Sequence, residues 1–142
     1  MDPERFVRDL PRLFDDYPRS EHPRDRRYAP ILAEVGGLAC ENNLALLNLA
    51  ASRLNEGESY VEVGSYKGLS LIAAILGNTG DFVGIDNFSM GDGSRDLLTA
   101  NLRRYGLSGH TILEGDALEL LRAGPPGGRR VGVYYYDAAH DY

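Results

Sequence analysis

Four stretches of this chain place acids, glycines and a histidine where a ligand could be held or a proton moved. Glu62-x-Gly64-x-x-x-Gly68-x-Ser70 follows a β-prone run and opens a helical one. Gly64 lets the backbone bend sharply and leaves room for a ligand to approach the main chain, while amides at the helix start can meet a carboxylate or phosphate. Asp86 stands 22 positions after Gly64, where an acid can accept hydrogen bonds from ribose hydroxyls. Asp116, in Gly115-Asp116-Ala117, can reach an adenine amine. Asp137 ends the last β-prone run, with His140 and Tyr142 following at the same mouth. Each has a plainer alternative: a packing turn for the glycines, a strand-end turn of Asp86 with Asn87, a helix cap for Asp116, and for the last stretch an Asp137 that only lines the ligand with His140 capping a turn.

These residues need a scaffold that brings strand ends together. Tyr60 to Gly64, Asp81 to Asp86, His110 to Leu113 and Val131 to Tyr136 read as strands. Between them, Leu69 to Leu76 reads as a helix ended by Gly77-Asn78. A second helix, capped by Ser94, buries Leu97, Leu98, Leu102 and Tyr105 and stops at Gly106. A third is short and starts at Asp116, with Glu119 in capping-box spacing. A largely apolar helix over Leu38 to Leu54 precedes the first strand. Strands alternating with helices predict an α/β fold: a Rossmann-like, mainly parallel sheet covered on both faces, with ligands outside the carboxyl ends of its strands.

The chain's 142 residues suit one domain. Residues 1–30 stand apart as an arm with five of the seven prolines, no glycine and seven Arg against seven acids. Phe6, Leu10, Leu13, Phe14 and Tyr17 make that arm a short amphipathic helix between Pro3 and Pro18. Pro18 to Pro30 reads as a polar connector with solvated charges. The apolar face of the arm suits an oligomer contact or folding back on the body equally well. The net charge of -6 therefore belongs to residues 31–142. That charge argues against nucleic acid as a partner, because phosphate binding needs a basic stripe. No apolar run approaches a membrane span of about 18 residues, and no leader-like segment precedes the body. A cytoplasmic protein acting on small molecules is the expectation. The lone Cys40 excludes an intrachain disulfide and reads as a small buried thiol.

Val61-Glu62-Val63-Gly64-Ser65-Tyr66-Lys67-Gly68-Leu69-Ser70, then Gly84-Ile85-Asp86, Glu114-Gly115-Asp116-Ala117 and Tyr136-Asp137-Ala138-Ala139-His140-Asp141-Tyr142 resemble successive motifs of class I S-adenosylmethionine-dependent methyltransferases. The likeness spans about residues 38–142. It implies that Glu62 and Gly64 lie against the methionine moiety, that Asp86 binds the ribose diol and that Asp116 lies near the adenine, flanked by Asn87 or Phe88. Ser65, Tyr66, Gly68, Ser70, Ala117 and Asp137 complete the implied cofactor-binding set. The final segment is similar to metal-dependent small-molecule O-methyltransferases of the catechol, caffeoyl-coenzyme A and macrolide-sugar types. That likeness implies magnesium on Asp137 and His140 as general base toward a hydroxyl of a sugar or phenol. The helix before the first strand would cover the cofactor mouth.

A dinucleotide Rossmann protein is the rival, but Tyr66 stands where its fingerprint needs the second glycine. The family's sheet has seven strands in the order 3-2-1-4-5-7-6, of which this chain carries four. The rest would come from a continuation of the chain or from a second copy in a homo-oligomer. A non-catalytic nucleoside-binding or assembly module is the remaining alternative.

Overall fold

The structure, a computed structural model, describes residues 1–138. His140 and the rest of the last motif, from Ala139 on, lie outside the described residues.

Four parallel strands, β1 (Glu58–Val63), β2 (Asp81–Asp86), β3 (Thr111–Glu114) and β4 (Arg130–Tyr136), form a sheet in the order β3-β2-β1-β4. This is the α/β, Rossmann-like class expected from the alternation of strands and helices. The connections are α4 (Leu69–Ile75), α5 (Arg95–Arg104) and α6 (Ala117–Arg122). Parallel crossovers are right-handed, so helices joining β1 to β2 and β2 to β3 fall on one face, and the helix returning past β1 to β4 falls on the other. The packing follows that rule. Tyr60 and Phe82 share a core with Leu71 and Ile72 of α4 and Leu98 and Leu102 of α5, whereas Val61, Val63, Val83 and Ile85 meet Leu120 and Leu121 of α6.

Before the sheet come α1 (Pro3–Asp9), α2 (Tyr28–Val35) and α3 (Glu41–Ala51), the last packed along α4 on the first face. Caps appear where residue types favour them. Asp2 accepts from the Arg5 amide at 3.0 Å, Ser94 from Leu97 at 3.1 Å and Asp116 from Glu119 at 3.0 Å.

Five sequence expectations are corrected. The arm helix ends at Asp9 and continues only as a 3-10 turn, Leu10–Leu13, because Pro11 has no amide for the α ladder. Phe14 and Tyr17 fall outside it, and the arm folds back on the body, with Asp9 gripping Arg53 at 2.9 Å and Leu13 against the core. The connector does not run to Pro30. Tyr28 opens α2, and Pro30 sits in the first turn, where no intrahelical partner is needed for its nitrogen. The charges of the connector are not all free in water either: Arg26 pairs with the buried Glu41 at 3.0 Å, and Arg27 donates to Asn48 Oδ1 at 2.8 Å. Finally, α3 starts only at Glu41, leaving Leu38 88% exposed. Cys40 is exposed, not buried, at the N-terminal boundary of α3, with its sulfur 3.4 Å from Asn43 Oδ1.

Candidate functional site at the carboxyl ends of the strands

The turn after β1 and the end of β2 are joined by one carboxylate. Asp86 Oδ2 accepts from the Tyr66 amide and Oδ1 from the Phe88 amide, both at 2.6 Å. Tyr66 and Phe88 are the non-glycine residues with positive φ, at 46° and 51°, among the described residues. Side chains with a Cβ are disfavoured there, and such strain persists only where the surroundings fix it. Here the Asp86 carboxylate supplies that fixing. Each oxygen retains a lone pair for a further donor, so Asp86 can still take hydroxyls at the half-buried strand end.

A second clamp holds the same turn from outside. Tyr66 donates its hydroxyl to Asp92, and Lys67 Nζ lies 2.7 Å from the same carboxylate and 5.0 Å from the Tyr66 ring centre. The Lys67 and Tyr66 bonds hold the Asp92 carboxyl down at about 2. The Tyr66 ring lies against Gly93, where a Cβ would come within 2.4 Å of it. Sequence reasoning missed Asp92. Its one visible signal is Gly91-Asp92-Gly93, a turn composition with space for a ring.

Gly64 is required for a reason other than ligand access. With φ at 92°, a Cβ there would sit 2.1 Å from the Asp137 carbonyl oxygen, so the space beside Gly64 is filled by β4's end. The Asp137 amide donates back to the Val63 carbonyl at 2.8 Å. Gly68 caps α4 with φ at 89°, and its amide bonds Ser65 O at 2.6 Å.

Glu62 lies beneath this turn with no exposed surface, its carboxylate taking Tyr60 Oη and Ser70 Oγ, each at 2.8 Å. Burial pushes its carboxyl up to about 7 against the two hydroxyl bonds. Glu62 and Ser70 are thus turned toward each other inside the fold. Ser65 Oγ is also buried, and it lies close enough to the same carboxylate to help hold its titration down.

The other residues named from sequence divide in two. Asp116 is exposed and caps α6, and Ala117 packs with α6's apolar side; Asp137 is exposed and accepts from the Tyr135 hydroxyl at 3.0 Å. Burial, followed by that bond, holds the Tyr135 hydroxyl well above its ordinary range. Asn87 is exposed, but its side-chain oxygen is taken up by Ser89 at 2.7 Å and 3.0 Å, and Phe88 packs against the α4–α5 core. Gly64, Asp86, Asp116 and Asp137 therefore end neighbouring strands or open the segments just after them, on one edge of the sheet.

For a nucleoside ligand the acceptors fit: a strand-end carboxylate with spare lone pairs for hydroxyls and a second exposed acid one strand away. For magnesium the described residues offer Asp137, and among them no group of three His, Cys, Asp or Glu side chains stands close enough to hold a metal ion. Magnesium is ordinarily held by one or two carboxylates with waters, so Asp137 is the described residue at this strand end that would hold it. Among the described residues no helix is long and apolar enough to cross a membrane. No family model matches this chain, and no curated protein matches it.

Proposed function

We propose that the chain binds S-adenosylmethionine at the carboxyl ends of β1, β2 and β3 and serves methyl transfer to a hydroxyl of a small molecule, a natural-product sugar or phenol. The observation that carries this reading is Asp86, whose carboxylate holds left-handed Tyr66 in the turn after β1 and left-handed Phe88 just after β2 while keeping acceptor capacity for a ribose diol. Asp116 is assigned to the adenine edge. When bound, the sulfonium supplies the electrophilic methyl group.

The chain's own work is then to fix the nucleoside and hold the turn rigid through Asp92. A further task is to take a proton from the acceptor hydroxyl, assigned to His140 because an imidazole titrates near neutrality. Glu62 supports the turn from below through Tyr60 and Ser70 and is not assigned a ligand contact.

Isothermal titration calorimetry with S-adenosylmethionine and with NADH tests the cofactor. Saturable heat with the first and none with the second is expected, and Asp86→Ala lowers the affinity at least about tenfold. Binding of NADH alone would overturn the reading. Binding of S-adenosylmethionine with no transfer to any hydroxyl acceptor would favour a nucleoside-binding module in place of an enzyme.

A further inference from the structure

A cavity of about 440 Å³ lies between the folded-back arm and α3, within the ~300–1,000 Å³ of ordinary small-molecule sites. Its apolar wall is Leu13 from the arm with Ala45 and Leu49 from α3. Its polar lining is rich in donors. Arg12, Arg24 and Arg27 all border it, against one acid, Asp25, in a chain whose net charge is -6.

Several acceptors along the lining are already engaged. Asn48 Oδ1 takes Arg27 at 2.8 Å, and the Ser52 hydroxyl donates to Leu49 O at 2.6 Å. Asp25 is paired with Arg27 at 3.1 Å. The donors are not exhausted, since a guanidinium carries five N–H groups. Arg12 uses one on Asp9, and Arg24 uses two, on Asp15 and the Phe14 carbonyl. The Tyr28 hydroxyl accepts from Arg27 at 3.0 Å, which leaves its own proton to give, and burial raises it above its ordinary range, so that proton stays on at neutral pH.

From this juxtaposition of surplus donors and an apolar wall we infer that the cavity is a binding site for a small organic anion with an apolar body, its carboxylate on Arg12 and Arg24 and its body on Leu13 and Leu49. A planar guanidinium pairs with a carboxylate through two parallel bonds, which suits a carboxylate over a neutral polar group. The site is separate from the strand-end mouth, and because Arg12 and Arg24 belong to the arm while Leu49 belongs to α3, a bound anion ties the arm to the body.

Calorimetric titration of the whole chain with 4-phenylbutyrate, 4-phenylbutanol and inorganic phosphate tests this. The acid is expected to saturate the chain below ~10 mM, with the alcohol and phosphate each at least about tenfold weaker. The double variant Arg12→Gln/Arg24→Gln, at two exposed side chains, weakens the acid at least about tenfold with circular dichroism unchanged. As a second readout, the acid shifts the methyl resonances of Leu13 and Leu49 and leaves those of Val63 and Ile85 in place. No saturation by the acid, equal binding of the alcohol or of phosphate, an unaffected double variant, or shifts confined to Val63 and Ile85 would overturn the site. None of these outcomes depends on S-adenosylmethionine binding.

Discussion

On one face of the sheet, Tyr60 and Phe82 are buried under a layer to which α2, α3, α4 and α5 all contribute. On the other, Val61, Val63, Val83 and Ile85 meet α6, and Tyr134 and Tyr136, in register with Val61 and Val63, keep 53% and 45% exposure. The difference follows from topology. Two crossovers run in one direction across the sheet and the third runs back, so the helices divide unequally. The thick face carries the larger buried core and, among the described residues, the one buried carboxyl with a strongly raised pKa, Glu62. The thin face carries aromatic surface on an edge strand.

Substitutions on the two faces should therefore differ in size. Leu71→Ala, at a side chain with no exposure on the thick face, is expected to lose ~2–5 kcal/mol in urea unfolding. A loss under ~1 kcal/mol would mean that the thick face is not the chain's main core.

Glu62 gives a pH signature from the same face. Its carboxyl titrates near 7 folded against 4.5 ordinarily. The folded state thus favours the protonated form, and the stability this lends is fully present below pH ~4.5. It is lost as pH rises to ~7, by about 3 kcal/mol over that window. Melting temperatures from pH 5 to 8 should fall more steeply for the parent than for Glu62→Gln, which stays neutral throughout. Parallel profiles would remove the buried acid from the account.

On the thin face, Leu120→Ala removes a half-buried side chain and is expected to cost ~1 kcal/mol by the same unfolding measurement. The smallest effect belongs to Tyr134→Ser, at an exposed strand position, which should stay within ~0.5 kcal/mol. A large loss there would show that the open face is covered in solution.

Short β-prone runs alternating with helical ones made the scaffold legible: β2 spans the same residues, Asp81 to Asp86, in sequence and structure. The Ser94 and Asp116 caps were readable because their side chains act within three residues. The helix α2 was not, because Pro30 and the arginines before it read as a connector, and it is tertiary pairing of Arg26 and Arg27 with α3 that anchors them. At the site, Asp86 could be picked out as a strand-end acid at a set distance from a glycine. Its partners could not, since residue type does not announce a left-handed tyrosine or phenylalanine. The cause of Gly64's glycine is equally hidden, being the carbonyl of a residue 73 positions later.

The strand order also sets a schedule for folding. β1 meets β2 with Ser59 beside Asp81, a pairing that closes over a short intervening helix. Its other edge waits for β4, whose Arg130 carbonyl reaches Ser59 across 71 positions. Loop closure of that length is slow relative to local pairing. During synthesis, β1, β2 and β3 with α4 and α5 can come together while the far edge of β1 is still bare. The uncharged segment Val131 to Tyr136 is then expected to close that edge last, bringing the Asp137 carbonyl against Gly64.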